Sequence, residues 1–400
     1  MKNFRLFVAF TFICSVLSSV TQAVSPPPDG GYPNGNTAEG NSALRDLTTG
    51  EFNTAVGLFS LTLNTGGDSN TGVGASALRN NTTGNENTAV GADALRFNIT
   101  GESNTATGFQ ALMKNTDGFD NTAVGTNALH DNTDGFGNTA IGNDALSSLN
   151  GGEEPGEGNF NTAVGNQALE HATTAEINVA VGDSAGFRVT TGSANTLVGD
   201  GAGENVSTGN GNTFVGSSAG FSVSTASNII CIGSAGANVS NACFIGNIFG
   251  NGTPAGVPVL ISENGRLGTL ISSKRFKEDI QPMDKASEDL FSLKPVSFRY
   301  KKNIDPAGTP QLGLVAEDVE KVNPGLIVRD KEGKPYTVRY DAVNAMLLNE
   351  FLKEHATVQE LKTTIAQQQK QIETLAAGLQ KVSAQLELDK SAPQTVLNNR

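Results

Sequence analysis

The 400-residue sequence has no tryptophan, four tyrosines, three histidines and three cysteines, and 47 glycines interrupt a hydrophobic content of only 37%. So few large side chains exclude one large globular core and point to a thin, repetitive body. His130, His171 and His355 stand apart from one another, as surface or cap residues do rather than metal ligands. Asp117, Asp120, Asp131 and Asp134 gather near Gly118 and Gly135 without a calcium-loop spacing, and read as solvated turns. No cofactor or metal is therefore expected. Basic residues are scarce in one region: residues 24–271 hold six Lys+Arg against 22 Asp+Glu, a net −16, whereas residues 272–400 hold 19 and 18, a net +1. An acidic shaft of this kind repels nucleic acid and anionic membrane surfaces, so nucleic acid is excluded as its ligand.

Long apolar runs are also missing. The one candidate, Leu6 to Leu17, is too short to anchor in a bilayer. With Lys2 and Arg5 before it and Ala23 after it, residues 1–23 read as a secretory signal peptide. Cys14 lacks the small preceding residue of a lipidated cysteine. The mature chain is therefore expected to be secreted or held at a cell surface, without membrane insertion. Cys231 and Cys243 are either a disulfide of an exported protein or small apolar core residues.

What the sequence has instead is a period. After a Pro/Gly-rich lead (24–35), Gly40, Gly57, Gly74, Gly91, Gly108, Gly125 and Gly142 recur every 17 residues. A six-residue insertion around Gly151-Gly152-Glu153-Glu154-Pro155-Gly156 delays the next to Gly165, and Gly182, Gly199, Gly216 and Gly233 resume the step. The consensus Asn-Thr-Ala-Val-Gly-x-x-Ala-Leu-x-x-Asn-Thr-Thr-Gly is nearly whole at Asn87–Gly101. Seventeen residues cannot house two helices with their turns, and Asn, Thr and Gly favour turns over helix interiors. The prediction is a parallel β-solenoid over 36–250, each turn burying its apolar side against its neighbours.

Within a turn, the Gly after each Val is expected to adopt a positive φ at a corner. Val56, Val73, Val90, Val124, Ile141, Val164, Val181 and Val198 are expected to stack inside as an aliphatic ladder. Ala77, Ala94, Ala111, Ala128 and Ala145 form a second inner column, and Asn53, Asn70, Asn87, Asn104 and Asn121 a structural third. Leu61, Leu78, Leu95, Leu112, Leu129 and Leu146 are either intra-chain core or an inter-chain seam. From Ala185-Gly186 onward Ala-Gly replaces Ala-Leu, which predicts a changed packing partner. An extra residue in Asn228–Gly233 and Asn241–Gly246 reads as a bulge closing the stack. The pattern resembles the left-handed parallel β-roll heads of trimeric autotransporter adhesins, whose period is shorter; that resemblance implies three chains side by side.

The junction (251–271) includes Val257-Pro258-Val259-Leu260-Ile261, predicted as a final strand pair. Beyond it the composition becomes ordinary and charged. A helix is predicted over Lys274–Leu293 with a break at Pro282, strands over Val296–Tyr300 and Tyr336–Tyr340, and a strand entering a helix over Gly313–Val322. Together these make a small α+β domain (272–357). Val358, Leu361, Ile365, Gln368, Ile372, Leu375, Leu379, Val382 and Leu386 then follow 3,4 spacing, predicting a coiled coil (358–388), with a disordered tail at 389–400.

At the boundary lies Ser272-Ser273-Lys274-Arg275-Phe276-Lys277-Glu278-Asp279-Ile280. It is followed by Pro295-Val296-Ser297-Phe298-Arg299-Tyr300, Gly313-Leu314-Val315-Ala316-Glu317-Asp318-Val319, Val338-Arg339-Tyr340-Asp341 and the heptads. This order resembles the C-terminal intramolecular chaperone domain of phage endosialidases, tail spikes and tail fibres, a self-cleaving serine peptidase family. The resemblance spans roughly 272–375. It implies a homotrimer, cleavage of the Ile271–Ser272 bond, Ser272 as nucleophile and Lys277 as base or proton shuttle. Ser273 departs from the family's Asp, so an orienting carboxylate is missing there or supplied elsewhere, and Ser273 becomes a competing nucleophile.

The expected function is that of an exported trimeric fibre whose C-terminal module aligns three chains and then cuts itself away, a single-turnover serine auto-endopeptidase. A surface adhesin with a glycan or other cell-surface ligand and an uncleaved stalk is the alternative; the absence of a C-terminal membrane barrel argues against an autotransporter. A fibre-borne glycan hydrolase is disfavoured, because uniform short repeats leave no insertion large enough to build a cleft.

Overall fold

The computed structural model describes residues 32–151, 157–250, 256–262 and 264–390. The expected signal peptide, most of the Pro/Gly-rich lead, the core of the insertion at 152–156 and the last ten residues lie outside the described residues. The chain forms two compact units, Met1–Gly252 and Thr253–Arg400.

The first unit is mainly β: a parallel sheet of thirteen three-residue strands in sequence order, from β1 (Thr37–Glu39) and β2 (Thr54–Val56) to β12 (Ile230–Ile232) and β13 (Cys243–Ile245). Registry is continuous, with Thr54 opposite Thr71, Ala55 opposite Gly72 and Val56 opposite Val73, and so on along the stack. The 17-residue turn is thus one rung of a β-solenoid. Gly57, Gly74, Gly91 and their equivalents take positive φ, 132°, 140° and 139° for these three. A Cβ on Gly108 would lie 2.3 Å from the carbonyl oxygen of Gly125, so close stacking also requires the missing side chain.

Strand parity corrects one expectation. The valines do not form an inner ladder: Val56, Val73, Val90, Val124, Ile141, Val181 and Val198 are exposed and Val164 is half-buried, whereas Ala55, Ala89, Ala106 and Ala123 are fully buried. The reason lies in the asparagine that precedes each strand. Successive side chains alternate between faces. An inward Asn at the first position therefore places the Ala two residues on inside, and the Thr and Val on the other face. Asn70 is fully buried; its backbone N–H and its Nδ2 both donate to Asn53 Oδ1, at 2.9 and 3.1 Å, and Nδ2 also donates to the Gly84 carbonyl at 2.8 Å. The same bonds repeat at Asn87, Asn104 and Asn121. An amide buried without such partners would cost about 1–3 kcal/mol, so this column fixes the parity of the rungs that carry it.

The leucines from Leu61 to Leu146 are fully buried within one chain, which removes them as an inter-chain seam. Ala77, Ala94, Ala111, Ala128 and Ala145 are buried beside them, as expected. These leucines sit in the left-handed region, with φ of 46° to 53°, a strain that hydrophobic burial offsets. Beyond Leu169 the position is held by Gly186, Gly203 and Gly220, and the bulk moves across the core to the strand residues Leu197 and Phe214. That exchange is the changed packing partner foreseen at Ala185-Gly186.

The last rungs depart from expectation. No bulge closes the stack: Ile229 takes the buried Asn position, donating its N–H to Asn212 Oδ1, and Asn228 becomes the corner residue, φ 57°. The final rung is shortened instead, because Ile230 pairs with Cys243, 13 residues on. Cys231 and Cys243 are both free thiols. Cys231 pairs with Phe244 and points inward, while Cys243 is exposed on the outer face, so strand alternation keeps the two sulfurs on opposite sides of the sheet.

The second unit begins with the antiparallel hairpin β14 (Val259–Ile261) and β15 (Leu267–Thr269), the predicted strand pair. Two further hairpins follow, β16 (Val296–Phe298) with β17 (Gln311–Gly313), and β18 (Ile327–Arg329) with β19 (Pro335–Val338). Between them runs α1 (Ala316–Val322). The predicted Lys274–Leu293 helix is instead two 3-10 segments, Lys274–Phe276 and Asp284–Ser292. The heptad region extends an earlier start: α2 (Tyr340–Lys390) is one 51-residue helix. Val319, Leu326, Ile327, Val338, Val343 and Met346 make the small core. A polar clamp ties the second 3-10 segment to α2. Fully buried Ser287 bonds the Glu350 carboxylate and accepts from Asn349 Nδ2 at 2.7 Å, and Lys353 Nζ meets Glu350 at 2.7 Å. Among the described residues, no helix is long and apolar enough to cross a membrane.

Candidate active site

The site is built by one tight turn. Ser273 is extended, with φ −64° and ψ 140°, and from it the chain closes the 3-10 segment through Phe276 N–H to Ser273 O and Lys277 N–H to Lys274 O. This reversal brings Lys277 back over Ser272, five residues earlier. Lys277 Nζ donates to Ser272 Oγ at 3.1 Å. Arg275 lies 4.6 Å over the Phe276 ring, turning both side chains of the segment's middle towards each other.

Both candidate residues are exposed in the single chain, as is Ile271, the residue before the serine. Ser273 makes no side-chain capping bond, and the lysine is directed at Ser272 rather than at its neighbour. A shallow pocket is lined by Ser272, Lys274, Lys277, Asp279 and Ile280. Asp279 was not singled out in the sequence. It brings a carboxylate to the pocket that lacks one at position 273, and only the fold of the turn places it there. Among the described residues, no group of His, Cys, Asp and Glu is arranged to hold a metal ion.

Residues 272–328 match the family model described as chaperone of endosialidase. The match begins at the serine that Lys277 contacts and runs through the 3-10 segments, the β16–β17 hairpin and α1 into β18. The second unit therefore carries a chaperone-of-endosialidase region, preceded in the chain by a β-solenoid. No curated protein and no solved structure matches the chain.

Proposed function

We propose that the chain is an exported, fibre-like protein that assembles as a parallel homotrimer, its C-terminal unit acting as an intramolecular chaperone that then severs the Ile271–Ser272 bond. The observation that carries this reading is the contact of Lys277 Nζ with Ser272 Oγ at the first residue of the family match. In the reaction, Lys277 in its neutral form takes the proton of Ser272 Oγ as that oxygen attacks the Ile271 carbonyl carbon. The C–N bond breaks, the proton passes to the Ser272 nitrogen, and an ester joins Ile271 to Oγ. Water hydrolyses the ester, leaving an Ile271 carboxylate and a Ser272 with free amine and hydroxyl.

A lysine serves as base where water is kept from its ammonium. Lys277 is exposed in one chain, so association of copies is the step that shields it, and cutting follows assembly. That order suits a repetitive body. Identical rungs permit slips of one 17-residue turn, and a trimeric clamp at the chain's end removes those alternatives before release makes the product kinetically stable. The heptad residues of α2 support the clamp: Val358, Leu361, Ile365, Ile372, Leu375, Leu379, Val382 and Leu386 are all exposed along the helix.

Intact-mass measurement tests the proposal. Wild type yields a fragment ending at Ile271 and one beginning at Ser272, and Ser272→Ala yields the whole chain. An uncut wild-type chain, or a cut Ser272→Ala chain, overturns the cleavage reading. A second reading, a surface adhesin, draws on one feature of the solenoid. Phe119 and Phe136 stack with ring centroids 4.7 Å apart, and Phe160 meets Phe136 edge-on at 5.1 Å, an aromatic ridge with Phe119 and Phe160 exposed on either side of half-buried Phe136, of the kind that stacks on sugar rings. Glycan-array binding by wild type that is lost in Phe119→Ala and Phe160→Ala supports it.

A further inference from the structure

The outer face of the solenoid sheet carries a pattern that its structural role as a sheet does not require. Each strand shows two side chains outward, Thr54 and Val56 in β2, Ile230 and Ile232 in β12, Cys243 and Ile245 in β13. From β2 to β13 these outward positions hold Thr, Val, Ile and Cys and no charged residue. The surrounding region carries a net −16, with exposed Glu51, Asp68, Glu86 and Glu102 on the corner that precedes the strands. Solvent-facing strands of an acidic protein have no need of twelve consecutive uncharged rungs. Exposed flat edges and faces are ordinarily protected by charge.

We infer that this Thr/Val face is the seam along which copies of the chain pack side by side in the assembly, each presenting the same face to the others. The inference rests on the trimeric reading above and identifies the surface it uses. Three observations select a second copy as the occupant. First, like-charged acidic bodies approach closely only through an uncharged side, and this is that side. Second, the face is a row of ridges at the spacing of neighbouring strands, about 4.8 Å. A surface with the same rungs in the same register interlocks with it along its whole length. Third, the leucines that offered an alternative seam are fully buried inside one chain.

The face also changes along its length. In β12 and β13 every outward position is apolar or cysteine, whereas most earlier rungs pair a Thr with a Val. The more adhesive end is the one from which the chain continues into the second unit. Contact that starts from the C-terminal end therefore meets the strongest rungs first. The area sets the limit. Twelve strands at about 4.8 Å and three residues at about 3.3 Å give a face on the order of 600 Å². A stable pair buries about 800 Å² per partner. A seam of this size does not bring the copies together unaided; it forms while the C-terminal unit holds them, and after release it persists kinetically.

Cysteine cross-linking in the full chain tests this. Cys14 and Cys243 are replaced by serine, Cys231 stays buried, and a single cysteine is introduced at Val124→Cys on the outer face or Thr83→Cys on an exposed corner. Under mild oxidation Val124→Cys is expected to form inter-chain disulfides at least tenfold faster than Thr83→Cys. Adding Val73→Glu, Val90→Glu and Val181→Glu, all at exposed positions, in the uncleaved Ser272→Ala chain is expected to abolish the cross-link while sedimentation still reports three chains. A wild type that sediments as a single chain overturns the trimeric reading and the seam with it. A trimer in which Val124→Cys does not outpace Thr83→Cys, or in which the three glutamates leave cross-linking unchanged, overturns the seam alone.

Discussion

Phe214 and Gly220 form one packing unit across the solenoid core: a Cβ on Gly220 would lie 2.2 Å from Phe214 Cδ2. Earlier rungs solve the same volume with the partners reversed, a strand Ala facing a turn Leu, as with Ala89 and Leu95, both fully buried. Gly220→Leu should therefore clash with the ring and destabilise. Phe214→Ala should empty a cavity and cost about 3–5 kcal/mol. The double variant restores the earlier arrangement and should cost much less than the sum. Thermal unfolding of the four proteins measures the coupling, and simple additivity would contradict the exchange of volume.

The asparagine column makes a sharper claim about single residues. Asn87→Ala keeps the backbone bond to Asn70 but removes the Nδ2 bonds to Asn70 and Gly101 and leaves the Asn104 N–H without its acceptor, all inside the solenoid. A loss of about 2–4 kcal/mol is expected, since buried groups lose partners on both sides. Thr83→Ala, on the exposed corner of the same rung, should stay within about 0.5 kcal/mol. Denaturant unfolding compares the two.

At the cleavage site, the lysine faces Ser272 and not Ser273. Ser273→Ala should leave processing intact, while Ser272→Ala and Lys277→Gln should leave the chain whole. Asp279→Asn is expected to slow processing without abolishing it, because Asp279 lines the pocket without being the group that Lys277 contacts. Time-resolved gel analysis of the freshly refolded chain reads each rate.

Acid should loosen the clamp in the second unit. Lys353, and then Ser287, hold the Glu350 carboxyl below its usual range. A carboxylate whose pKa is lower folded than unfolded adds stability that is fully present above its unfolded value, about 4.3, and is lost as pH falls through the folded value. Lys353→Met should therefore be less stable than wild type near neutral pH, and the difference should narrow below about pH 4. Circular dichroism across that range checks the sign: a gap that widens on acidification rules out this origin.

The heptad face of α2 is exposed along its length, with Ile365 and Leu375 among its residues. If three copies bury it, Ile365→Asp with Leu375→Asp should convert the sedimenting species to single chains and also suppress cleavage. Analytical ultracentrifugation and intact mass on the same sample separate the two effects.

Much of this was legible in the residues. The 17-residue period, the positive-φ glycines and the structural asparagines follow from local chemistry, because turn geometry depends on neighbours in the chain, while the pairing of Ser272 with Lys277 came from the family resemblance. The direction of the valines did not follow. Hydrophobicity ranks Val above Ala for the interior, but a three-residue strand has only one parity, and the buried Asn amides claimed it. The volumes that fill the core, Leu from one corner early and Phe214 from the strand later, come from opposite sides of a rung. The sulfurs of Cys231 and Cys243, close in sequence, were likewise separated by the pairing of Cys231 with Phe244. Sequence alone determined that this chain coils in repeated steps of 17 residues. Tertiary structure decided which side of each step faces inward, because that depends on which groups must find hydrogen-bond partners away from water and on how much space the opposite wall leaves.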